Sequence, residues 1–130
     1  MSLDLKQIHH VAIICSDYEV SKHFYTQILG LRIIAEHHRA ERHSYKLDLA
    51  IGSEEQIELF SFPDPPPRMT NPEARGLRHL AFVIDDIEVQ ARLLNEYGVT
   101  VQPVRIDECT GKKFTFFFDP DGLPLELYEK

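Results

Sequence analysis

The stretch that decides the fold is Gly76-Leu77-Arg78-His79-Leu80-Ala81-Phe82-Val83-Ile84-Asp85-Asp86. It reads as a strand, with Leu80, Phe82 and Ile84 on one face and His79, Ala81 and Val83 on the other. Near the N-terminus, His9-His10-Val11-Ala12-Ile13-Ile14-Cys15-Ser16-Asp17 has the same form. Laying His79 over His10 brings Asp86 over Asp17, a displacement of 69 residues (79 − 10). The chain therefore reads as one module written twice.

Working outward, the first copy predicts a strand over Ile8–Ser16 and a helix from about Tyr18 to Leu29. Asp17 caps that helix, Val20, Phe24, Ile28 and Leu29 form its apolar stripe, and Gly30 stops it. Strands follow at Leu31–Glu36, Ser44–Ile51 and Gln56–Phe62, the last two joined by the turn Gly52-Ser53-Glu54. The second copy predicts a strand over Leu77–Ile84, a helix over Ile87–Tyr97 and strands at Thr100–Ile106, Lys113–Phe118 and Leu123–Tyr128. Asp119-Pro120-Asp121-Gly122 is a turn signal between the last two. Between the copies lies Pro63-Asp64-Pro65-Pro66-Pro67-Arg68-Met69-Thr70-Asn71-Pro72, whose prolines hold the backbone extended as a linker. The expected fold is α+β, a single domain of residues 1–130. It comprises two βαβββ modules at about 7–62 and 76–130, joined by the linker at 63–75. Each module alone exposes one face of a small curved sheet, and two set edge to edge close that surface into a cup.

The composition suits such a domain. The chain has 130 residues, 43% of them hydrophobic and 27% charged, in the range of ordinary globular proteins. A net charge of −7 argues against a nucleic-acid or anionic-membrane partner. No apolar run is long enough to span a bilayer, and Met1-Ser2-Leu3-Asp4-Leu5-Lys6 does not read as a signal peptide. Cys15 and Cys109 make no disulfide framework and fit reduced thiols in a cytoplasm.

The last strand of each copy carries a carboxylate between aliphatics: Ile57-Glu58-Leu59 and Leu125-Glu126-Leu127. Alternation sends the aliphatics under the helices and the carboxylates to the other face, where the same parity puts His10 and His79. Burying two carboxylates together without a cation is costly. One divalent ion held by His10, Glu58, His79 and Glu126 removes that cost, and this donor mix suits zinc, nickel, cobalt, iron or manganese rather than calcium. The remaining histidines have plainer readings. His9 points away from His10 by parity, His23 stands on a helix without a partner, and His37, His38 and His43 surround a polar loop, Arg39-Ala40-Glu41-Arg42. The run Phe114, Phe116, Phe117 and Phe118 reads as core, one face of it lining the cup.

These residues resemble the vicinal oxygen chelate superfamily, and most closely its small bacterial glyoxalase-like (YaeR-type) branch. The resemblance covers nearly the whole chain. It rests on His10-Val11-Ala12-Ile13 leading to Asp17, on Phe24-Tyr25, Leu29-Gly30 and Ile57-Glu58-Leu59, and on Arg78-His79-Leu80-Ala81-Phe82. It also rests on Asp119-Pro120-Asp121-Gly122 and Leu125-Glu126-Leu127. It implies a metal-dependent lyase of glyoxalase I type, resembling lactoylglutathione lyase. In such an enzyme a small substrate with adjacent oxygens reaches the ion, and Glu126 moves a proton, with Glu58 as ligand or second base. The full His, Glu, His, Glu set matches glyoxalase I. The dioxygenases and fosfomycin-resistance transferases of the superfamily generally use two His and one Glu. The arginine and asparagine that glyoxalase I uses for glutathione are replaced by Ile14 and Phe62, so a small or partly apolar ligand is expected. Its anionic groups could reach Arg42, Arg68 or Lys46 at the rim. Another metalloenzyme of the same fold, a thiol transferase or dioxygenase, is the alternative, as is a binding module without turnover. A homodimer is expected.

Overall fold

The structure, a computed structural model, describes residues 1–130 except for the side chain of Glu55. The chain divides into two compact units, Met1–Pro65 and Pro66–Lys130. The first contains β1 (Val11–Cys15), α1 (Tyr18–His23), β2 (Arg32–Arg39), β3 (Ser44–Ile51) and β4 (Glu54–Ser61). The second contains β5 (Leu80–Ile84), α2 (Ile87–Glu96), β6 (Arg105–Ile106), β7 (Lys113–Phe118) and β8 (Pro124–Glu129). Each unit is a mixed four-stranded sheet, in the order β1-β4-β3-β2 and β5-β8-β7-β6. The expected α+β architecture of two βαβββ modules is therefore present. In both, the first strand runs parallel to the last, and the remaining pairs are antiparallel.

The aliphatics that flank each glutamate make the core. Leu59 and Leu125 are fully buried, as are Leu47, Leu49, Ile87 and Phe117. Removing each such side chain from water contributes about 1.5–3 kcal/mol. Both helices open on the aspartate predicted for them: Asp17 Oδ1 accepts from Val20 N at 3.2 Å, and Asp86 Oδ1 from Val89 N at 3.3 Å. Gly98, at φ +84°, ends α2. The Gly98 amide bonds Asn95 O and the Val99 amide bonds Leu94 O, closing the helix with a left-handed residue that a side chain would strain.

Several boundaries differ from the sequence expectation. β1 and β5 begin later, at Val11 and Leu80, because the ladders with β4 and β8 start there, at Val11 with Ile57 and Leu80 with Leu125. The first helix is α-helical only to His23 and widens into a π-helical turn over Phe24–Ile28, with the Leu29 amide bonded to Phe24 O at 2.9 Å. The buried face consists of Tyr18, Ser21, Phe24 and Tyr25, and Val20 is 51% exposed rather than part of the stripe. β2 continues to Arg39, so His37 and His38 stand in a strand, and only Ala40–Arg42 form a turn. β6 shrinks to two residues. Pro103, inside the expected strand, has no N–H to give the ladder.

On the α1 side of the first sheet, Tyr18 stacks on Tyr45 at 4.2 Å and donates to Glu36, which also pairs with Lys22 at 2.7 Å. The hydrogen bonds from Lys22 and Tyr18 hold the Glu36 carboxyl below its usual range, while burial and Glu36 push the Tyr18 hydroxyl up. No helix among the described residues is long and apolar enough to cross a membrane.

Candidate metal centre

In the first unit Glu58 sits on β4 with Ala12 as its register partner across the parallel pair. His10 lies one residue before that ladder begins. Its Nδ1 is 3.4 Å from Glu58 Oε2, and only 10% of the glutamate side chain is exposed. In the second unit Glu126 has the same neighbour, Ala81, across the parallel pair with β5. His79 lies one residue before this ladder, with Nε2 at 3.1 Å from Glu126 Oε1 and the glutamate side chain 12% exposed. The structure thus brings His10 to Glu58 and His79 to Glu126, each pair within its own unit. The register partners on the same face, Ala12 and Ala81, carry only methyl groups.

The surroundings of the two glutamates differ. Asp48 faces Glu58 across β3–β4. Lys46 Nζ bridges Asp48 at 2.7 Å and Glu58 at 3.7 Å, and His37 Nε2 is 3.9 Å from Asp48. Sequence reading took Lys46 for an ordinary rim charge, but three quarters of its side chain is covered. Its distance from Asp48 and Glu58 was not legible before the strand pairing was known. Glu126 instead faces Phe116, whose ring lies edge-on to His79 at 5.0 Å. Among the described residues, no lysine or arginine lies within ion-pair distance of Glu126.

Phe116 belongs to the wall of a cavity of about 520 Å³ in the second unit, together with His79, Glu126, Phe114 and Phe118. Phe117, the other member of the run, is core. Three arginines also line the cavity: Arg68, Arg78 and Arg105. Arg105 extends over Phe114 and Phe116, at 5.0 and 5.8 Å from the ring centres. Arg68 donates to Leu77 O and Arg78 O, and Thr70 donates to Gly122 O at 3.0 Å. The stretch expected to be only a linker therefore supplies a cavity wall. Of the residues expected to hold anions, Arg68 lines the cavity, while Arg42 stands exposed in its turn.

His9 corrects a second expectation. Alternation was extended to it, yet it precedes β1, so the ladder does not constrain its direction. Its Nδ1 is 2.8 Å from His10 Nδ1, and donor atoms of His9, His10 and Glu58 all lie within 4.8 Å of one another. The equivalent neighbour of His79 is Arg78, which donates to His79 Nδ1 at 3.1 Å. Each unit thus presents an imidazole beside a nearly buried carboxylate, donor types that fit a divalent ion.

The family model described as "Glyoxalase/Bleomycin resistance protein/Dioxygenase superfamily" matches residues 7–127 and so runs across both units. The uncharacterized protein YaeR of Escherichia coli (strain K12) is 56% identical over 128 residues, 98% of this chain and 99% of that one. The metallothiol transferase FosB of Staphylococcus saprophyticus is 30% identical over 130 residues, 95% of this chain and 77% of that one. A crystal structure of a glyoxalase family protein from Enterococcus faecalis superposes with a TM-score of 0.89 at 52% identity, covering 98% of this chain and 100% of that one.

Proposed function

Because the chain belongs to the glyoxalase/bleomycin resistance protein/dioxygenase superfamily, we propose that it is a metal-dependent enzyme. Its substrate would be a small anion with two adjacent oxygens, and its reaction the transfer of a proton between neighbouring carbons, as in lyases of glyoxalase type. His10, Glu58, His79 and Glu126 together would hold one divalent ion: zinc, nickel, cobalt, manganese or iron. The observation that carries this reading is the repeated pair, a histidine one residue before the ladder facing a nearly buried glutamate at 3.4 and 3.1 Å. When bound, the ion supplies Lewis acidity to the substrate oxygens.

Glu126 is the general base, standing among phenyl rings that limit water around the transferred proton. Glu58 is a ligand and the second candidate base, oriented by Lys46 on one oxygen and His10 on the other. Arg78 and Arg105 receive the substrate's anionic group. Ile14 and Phe62 offer no donor to the carboxylates of glutathione, which favours a substrate that is not a glutathione conjugate. The enzyme is expected to work as a homodimer, to be read by sedimentation at micromolar concentration.

His79→Ala is expected to weaken metal binding, so that elemental analysis after dialysis against a chelator finds less metal than in the native protein, and equal retention after that dialysis would overturn the ligand set. Thioester formation from the methylglyoxal–glutathione hemithioacetal is expected to be weak with nickel, cobalt, zinc and manganese forms. Efficient turnover that disappears in Glu126→Gln would restore glutathione as the substrate carrier. A second reading, thiol transfer, is favoured by the 30% identity to the metallothiol transferase. Retention of full activity in Glu58→Gln would favour it over the four-ligand isomerase.

A further inference from the structure

The first unit holds one more ligating side chain near its His–Glu pair, and the second unit has none in the equivalent place. We propose that His9, His10 and Glu58 form a capture site through which a divalent ion enters the protein, His9 being the ligand released when the ion settles among the four residues. This proposal rests on the metal reading above.

Three observations carry it. The Nδ1 atoms of His9 and His10 stand 2.8 Å apart, and Glu58 Oε2 is 3.4 Å from the latter. A divalent ion fits between the two ring nitrogens if the rings open to about 3.3 Å, the separation of two nitrogens on one tetrahedral ion. Both histidines are exposed, while Glu58 is 7% exposed. The group thus offers two accessible imidazoles above a nearly buried carboxyl group. His9 precedes β1, so it can let go without disturbing a ladder bond. The repeat supplies an internal control: the residue before His79 is Arg78, whose guanidinium donates to the His79 ring. The guanidinium there, itself paired with Glu73, cannot ligate an ion, whereas the His9 imidazole can.

The test uses the full-length metal-free protein and cobalt(II), followed by visible absorption and by competition with a chromophoric chelator. His79→Ala with Glu126→Gln is expected to retain one equivalent of cobalt with reduced affinity. Adding His9→Ala to that chain should weaken binding by about tenfold or more, about 1.4 kcal/mol. In the otherwise native protein, His9→Ala should slow cobalt loading in stopped-flow mixing while leaving the equilibrium affinity nearly unchanged. Absence of cobalt binding in the His79→Ala, Glu126→Gln chain overturns the capture site. So does His9→Ala leaving both its residual affinity and the loading rate unaltered. If that doubly substituted chain binds as tightly as the native protein, the four-residue reading falls, and loss of binding on removing His9 still establishes the capture site.

Discussion

Glu58 and Glu126 occupy one register position in two sheets of one strand order, yet the strand beside each gives it opposite company. Asp48, Lys46 and His37 stand where the second unit has Phe116, Phe114 and Arg105, each 68 residues further on, as Glu126 is from Glu58 (126 − 58). The first glutamate is embedded in a charge network closed by Lys46. The second is set against rings, with its histidine as the nearest cationizable group. Backbone pairing therefore fixes where a carboxylate is presented, while the adjacent strand decides whether the protein balances its charge internally or leaves that to something bound.

The most damaging way to test this contrast is Lys46→Met, which strands Asp48 and Glu58 side by side. It should cost about 3 kcal/mol in urea unfolding at neutral pH, and Asp48→Asn in the same chain should recover much of it. Equal destabilisation with and without Asp48→Asn would break the network account. The reverse experiment writes the first unit's chemistry into the second. Phe116→Asp sets an unbalanced carboxylate beside Glu126 and removes a ring from the cavity wall, an expected loss of about 2 kcal/mol. Phe114→Lys added to it should return part of the stability, whereas further loss would mean that the two sheets do not present equivalent positions.

Where the units agree, their responses should match. Asp17→Ala and Asp86→Ala each remove a helix cap and should each cost about 1 kcal/mol in the same measurement. A large difference between them would show that the caps are not equivalent despite equal geometry. The smallest effect concerns pH and is confined to the first unit. Glu36 has its pKa lowered by Lys22 and Tyr18, so the folded state binds its proton less readily than the unfolded chain. Its contribution is present above the ordinary carboxylate pKa and is lost as pH falls through the depressed folded value. Glu36→Gln should therefore flatten the acid limb of the stability profile slightly, and an unchanged limb would remove Glu36 from the account.

The repeat, the helix caps and the shared face of each His–Glu pair were legible because they depend on local alternation and spacing. Their failures are equally local. The direction expected for His9 carries strand parity two residues beyond the start of β1. Val20 fits the apolar period of the helix, yet the face that packs inward is set by Tyr18, Ser21 and Tyr25, which leaves Val20 outside. The Lys46 network depends on which residue of β3 faces which residue of β4, in a pair whose register shifts between Leu49 and Ala50. No pattern within one strand reports that. The arginine-lined cavity combines the proline-rich stretch with β7 and β8, a proximity created only by the tertiary fold.

Ala12 and Ala81, the register partners of the two glutamates, bear on residence time. Each lies on the first strand of its unit with its methyl group exposed. These methyl groups are the least bulky neighbours the carboxylates have on the parallel strand. A branched side chain there would slow arrival and departure by the same factor, leaving occupancy at equilibrium untouched while lengthening every bound interval. In the proposed metal site, the smallest side chains beside the carboxylates would then set how quickly the ion exchanges.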